Sequence, residues 1–145
     1  GVKLDGVAGV KYMYHEPCHN PMKTYQGIKV ANELIGDKVV LSDRCCGESG
    51  SFAVSRPDIS TQVRFRKQEE LEKGVAAIRK EDSTSQVKVL TSCPSCLQGL
   101  SRYDNDTGTS ADYIVIEMAR KILGEQWLVD YVNQANNGGI ERVLL

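Results

Sequence analysis

The five cysteines of this chain fall in three groups, and each group follows directly on a strand-like run. Val10-Lys11-Tyr12-Met13-Tyr14 alternates, is rich in aromatics and leads through Pro17 to Cys18. Val39-Val40-Leu41 has the look of a short buried strand and ends at Asp43-Arg44-Cys45-Cys46-Gly47. Val87-Lys88-Val89-Leu90 is a third strand, followed at once by Thr91-Ser92-Cys93-Pro94-Ser95-Cys96. Helical spacing fills the intervals. Ile28, Ala31, Leu34 and Ile35 mark one helix, with Gly36 placed to end it. Behind Pro57, a long helix has Ile59, Val63, Leu71, Val75 and Ile78 as its buried stripe. Arg66, Lys67, Glu69, Glu70 and Lys73 read as its solvated outer face. Pro94 suits the first turn of a helix carrying Leu97 and Leu100.

Asp104 to Ser110 reads as a loop on composition. Residues 111–115 form a fourth strand candidate, entering a helix through Met118, Ala119, Ile122 and Leu123 that stops at Gly124; a last amphipathic helix covers Trp127 to Gln134. This alternation predicts an α/β fold: a mostly parallel sheet of about four strands with helices on both faces. The cysteines then lie on loops at the carboxyl ends of the strands. In open α/β sheets that edge forms the ligand-binding crevice. Three loops therefore bring Cys18, the Cys45–Cys46 pair and the Cys93/Cys96 pair to one rim.

Length and composition bound the chemistry. The 145 residues make one domain, with 41% hydrophobic and 26% charged residues, ordinary values for a packed core. A net charge of -1 offers no polyelectrolyte surface for nucleic acid. No apolar run approaches the ~20 residues of a membrane span, and no export signal opens the chain. Gly1 in place of Met points to processing or a fragment. An odd number of cysteines without an export signal argues for a reducing, cytoplasmic setting and thiols held for chemistry. Thiolates are soft donors that favour iron–sulfur clusters or zinc. Cys93 and Cys96 at a helix start are placed where the dipole favours the ionised thiol. Gly47 and Gly50 allow backbone amides to approach the sulfurs. His15 and His19 flank Cys18 as further zinc ligands, as groups that hydrogen-bond a sulfur, or as surface histidines. Arg44 could balance charge. Glu16 and Glu48 lie beside the cysteines, where they could relay protons or orient ligands, but read rather as solvent-facing loop residues; Tyr12 and Tyr14 read as sheet packing. Three classes stand open on these residues: an iron–sulfur electron-transfer module, a zinc domain and a metal-free dithiol redox domain.

Three blocks carry a resemblance. HEPCH (residues 15–19), DRCCGESGSF (43–52) and TSCPSC (91–96) resemble the cysteine-rich CCG domain of heterodisulfide reductase B-type subunits and of the iron–sulfur subunits of glycolate and lactate oxidising systems. RPDISTQVRFRKQEE and TSCPSCLQGLSRY are most similar to the C-terminal region of large FAD-linked oxidoreductases, and GGIERVLL resembles the natural end of such a protein. The resemblance makes residues 1–145 one CCG-type domain, the C-terminal fragment of a larger oxidoreductase. It makes Cys18, Cys45, Cys46, Cys93 and Cys96 the candidate ligands of an iron–sulfur cluster. An ordinary [4Fe–4S] cubane takes four cysteines, so the fifth is a spare, a substrate-exchangeable ligand or a sign of the non-cubane cluster held by the heterodisulfide reductase relatives. It implies FAD and ferredoxin-like domains in the parent protein, with a disulfide or quinone as electron acceptor. It also implies a place in the cytoplasm, peripheral to the inner membrane through partners. Zinc in the same cysteines is the alternative.

Overall fold

The computed structural model describes residues 9–20, 24–36, 38–48 and 51–138. Gly50 and residues 139–145, named above, lie outside the described residues. Four strands, β1 (Val10–His15), β2 (Val40–Ser42), β3 (Gln86–Thr91) and β4 (Thr109–Tyr113), form one sheet in the order β2-β1-β3-β4. All three pairings are parallel, with Met13 opposite both Val40 and Val89, and Val89 opposite Ala111. The α/β fold expected from the sequence is the fold observed.

The connections are α1 (Gly27–Ile35), α2 (Phe52–Ser55) with α3 (Pro57–Glu81), and α4 (Pro94–Ser101) with α5 (Asp104–Thr107). After β4 come α6 (Ile114–Leu123) and α7 (Trp127–Asn136). The period-2 alternation of β1 sorts its side chains onto two faces. Tyr12 and Tyr14 pack with Ala31 and Ile35 of α1 and with Ile114 of α6. Met13 packs on the other face with Leu71, Val75 and Ile78 of α3 and with Leu100 of α4. The chain leaves β1 in one direction to reach β2 and crosses back over it to reach β3. Right-handed crossovers then require α1 and α3 on opposite faces, as found. β1 and β3 thus flank the point where the connections reverse, and their carboxyl ends open a crevice.

Local chemistry sets the element ends. Gly36 closes α1 at φ 69°, and its N–H bonds Asn32 O at 2.9 Å. Asn32 Oδ1 accepts from Val39 N at 2.8 Å and so ties the end of α1 to the entry of β2. Pro57 and Pro94 occupy first turns, where no N–H is required.

Four expectations need correction. β2 is an edge strand with Val40 and Leu41 exposed; of the three expected apolar residues Val39 alone is buried, because no described strand or helix covers that edge. The fourth strand starts at Thr109, and residues 114–115 already belong to α6, so the expected loop holds α5 and the start of β4. Ile59 of the expected apolar stripe is exposed. Lys67, expected on the solvated face of α3, is fully buried, since it and Ser60 turn toward the loop that follows β2. None of the described helices is long and apolar enough to cross a membrane.

Candidate metal centre

His15 is the last residue of β1, and alternation puts it on the Met13 face, toward α3 and α4. Cys46 arrives on the loop after β2, and Cys96 lies in the first turn of α4, directly after β3. Their donor atoms all fall within 4.8 Å of one another, and all three residues are buried. The Cys46 and Cys96 sulfurs are hydrogen-bonded at 3.6 Å. Cys93 and Cys18 join them in lining a cavity of about 110 Å³, together with Pro17, His19 and Ser95. Cys18 and His19 are exposed at its mouth. Cys45 does not line the cavity. It is half-buried beside Cys18, close enough for the Cys18 sulfur to act on it.

The Cys46 thiol is lowered to about 4, chiefly by its hydrogen bond with Cys96. Burial opposes the shift, whereas His15 and the Glu48 backbone amide assist it. Cys96 moves the other way, raised by the same hydrogen bond, by burial and by the neighbouring Cys46 and Cys93 sulfurs. The two sulfurs therefore share one proton and carry one negative charge as a pair. At Cys96 the contact with Cys46 and burial act against the ionisation that a helix start favours. Burial raises the Cys45 thiol, with Cys18 and Cys46 adding to it, while the Gly47 N–H opposes the shift. That N–H lies 3.4 Å from Cys45 Sγ, so a backbone amide does approach a sulfur at Gly47.

Among the described residues neither ring nitrogen of His15 has a partner of hydrogen-bond geometry, although the ring is fully buried. A buried imidazole in that state costs free energy that a metal or a proton-sharing sulfur would recover.

The loop that carries Cys46 is shaped from below. Gly47 has φ +80°, and a Cβ there would lie 2.8 Å from Arg64 Cγ. Ser60 Oγ donates to Gly47 O at 2.9 Å, and Tyr103 Oη to Cys46 O at 3.5 Å. Gly99 of α4 lets the loop approach: a Cβ there would meet Glu48 Cγ at 2.5 Å and Cys46 Cβ at 3.3 Å. Glu48, expected in solvent, is buried and ion-paired with Arg102, with Arg64 at 3.9 Å. Arg44 is exposed.

Residues 101–145 match one family model, described as a domain of unknown function (DUF3400). Neither the curated proteins nor the solved structures match the chain. The matched segment begins at the end of α4 and contains none of the cysteines, so it bears on the scaffold behind the site and not on the thiols.

Sequence reasoning named all five thiols and His15, weighed Glu48 mainly as a solvent-facing residue, and missed Gly99 and Lys67 as supporting residues. Gly99 carried a readable sign, a glycine within a short helix where alanine would be the better helix former. Glu48 carried its place beside the cysteine pair, and Lys67 carried no sign, because a charged residue is read as exposed until its partners are known.

Proposed function

We propose that this chain is a CCG-type cysteine-rich domain that binds an iron–sulfur cluster and passes electrons within a flavin-linked oxidoreductase. The observation that carries the reading is the convergence of Cys46, Cys96 and His15 within 4.8 Å, with Cys18 and Cys93 on the same cavity. The donor set fits such a group: soft sulfurs, one with its pKa depressed, beside a buried imidazole without a partner of hydrogen-bond geometry among the described residues. Cys46, Cys96 and Cys93 would hold it from within, and Cys18 with Cys45 from the loop side. When bound, the cluster supplies one-electron transfer. The chain's own contribution is to bury Cys46 and Cys96, to aim the Gly47 N–H at Cys45 and to leave Cys18 exposed toward a partner. In the parent protein, electrons from a flavin domain would leave through this site to a disulfide or quinone acceptor.

Zinc is the second reading, favoured by His15, because three sulfurs and one imidazole complete a tetrahedral site. Anaerobic purification followed by iron, acid-labile sulfide and zinc analysis separates the two. Iron with sulfide in near-equal amounts supports the cluster. Stoichiometric zinc without sulfide after strictly anaerobic handling overturns it.

A further inference from the structure

Lys67 is fully buried in the middle of α3. Removing an ammonium from water is expensive even when it is paired, and an apolar side chain of similar size often serves packing as well or better. Its place on the helix gives a reason for the cost. Ser60, Arg64 and Lys67 are spaced i, i+4 and i+7, so they share one face of α3. All three meet the segment that runs from the end of β2 through the cysteine pair. Ser60 bonds Gly47 O at 2.9 Å, Arg64 approaches Glu48 at 3.9 Å, and Lys67 Nζ donates to Ser42 Oγ, the last residue of β2. Lys67 also donates to Glu70 Oε2 at 2.7 Å. Glu70 in turn accepts from Ser42 Oγ at 3.2 Å and from Asp43 N at 3.0 Å. One face of α3 therefore grips the segment both before and after Cys45 and Cys46.

The two charges of the Lys67–Glu70 pair are unequally placed. Lys67 has 0% of its side chain exposed, whereas Glu70 has 17%. Solvent screens the carboxylate more than the ammonium, so the field toward the protein interior is left net positive. Lys67 lies close enough to interact electrostatically with Cys46, as it does with Asp43.

We propose that Lys67 is a positioning residue of the thiolate site, anchoring the start of the Cys45–Cys46 loop and supplying a buried positive charge that stabilises its sulfurs as metal ligands. The inference rests on the reading of Cys46 and Cys96 as metal ligands. Groups that support ligands from outside their coordination shell commonly change metal affinity about 10–100-fold when removed.

The test is a cobalt(II) titration of the reduced, metal-free chain, followed by sulfur-to-cobalt charge-transfer absorbance, with thermal melting measured in parallel. Lys67→Met keeps the volume and removes the charge, and it should weaken cobalt binding about tenfold. Glu70→Gln keeps the shape and removes the compensating anion, and it should tighten binding. A clamp without an electrostatic role predicts that both variants weaken binding in step with their melting temperatures. Opposite signs support the proposal. The same sign, or no change in either, overturns it. Should Lys67→Met not fold, the sign of the Glu70→Gln effect decides alone. Wild-type chain that shows no sulfur-to-cobalt absorbance overturns the metal reading itself and this inference with it.

Discussion

Cys46 and Cys96, fifty positions apart in the chain, hold their sulfurs 3.6 Å from each other. The contact joins the loop after β2 to the first turn of α4, although β2 and β3 are not neighbours in the sheet. It is made across the end of β1, where His15 closes the group.

Replacing Cys46 or Cys96 with Ser should remove metal binding, since both are buried at the centre of the group. Cys18→Ser should weaken binding less, because Cys18 lies exposed at the cavity mouth. Metal content by mass spectrometry after anaerobic purification ranks the three. Equal loss in all three variants would mean that burial does not order the ligands.

In the reduced, metal-free chain, one thiol should titrate near pH 4, visible as thiolate absorbance at 240 nm. Cys96→Ala removes the principal cause and should move that step up toward the ordinary thiol range of about 8.5. The folded pKa of Cys46 is depressed. Its contribution to stability is therefore present above the unfolded value and is lost as pH falls through about 4. All five thiols titrating together in the ordinary range would contradict the shared proton.

Gly99→Ala should destabilise the fold by about 1–3 kcal/mol despite alanine's better helix propensity, because the added methyl meets Glu48 Cγ at 2.5 Å and Cys46 Cβ at 3.3 Å. Urea unfolding measures it. A stabilised Gly99→Ala variant would show that Glu48 moves aside without cost.

On the opposite face of the sheet, Glu117 accepts from Tyr12 Oη at 2.8 Å and pairs with Lys88 at 3.0 Å and Arg120 at 3.1 Å. Burial pushes its carboxyl up, but Lys88, Tyr12 and Arg120 together outweigh burial and leave it below the usual range. A depressed folded pKa stabilises above the unfolded value, so this contribution should fade as pH falls below the ordinary glutamate range. Glu117→Ala leaves Lys88 largely buried without its carboxylate and should cost about 3 kcal/mol at pH 7. Chemical denaturation at pH 7 and pH 3 should find the wild-type advantage at the higher pH and little of it at the lower.

The strands were legible wherever apolar residues ran together before a turn, as in residues 10–14 and 87–90. The rim of cysteines followed from those strands alone. β4 was harder to read: Thr109-Ser110-Ala111-Asp112 carries little apolar signal and forms a strand because β3 offers it a ladder. Lys67 and Glu48 were misread for a related reason. Each is buried by partners contributed from other segments, Ser42 and Glu70 for one and Arg64 and Arg102 for the other.

The amino-acid sequence by itself determined the alternation of strands and helices and the delivery of every thiol to a strand's carboxyl end. Both are set by local periodicity and by residues adjacent in the chain. Only the tertiary structure decided which donors meet. The order β2-β1-β3-β4 sets β1 between the two cysteine-bearing strands, and this brings His15, Cys46 and Cys96 together. Strand order is a property of long-range pairing, and no short window of sequence encodes it. The proton shared by two sulfurs and the charge held beneath them likewise exist only once those segments are packed.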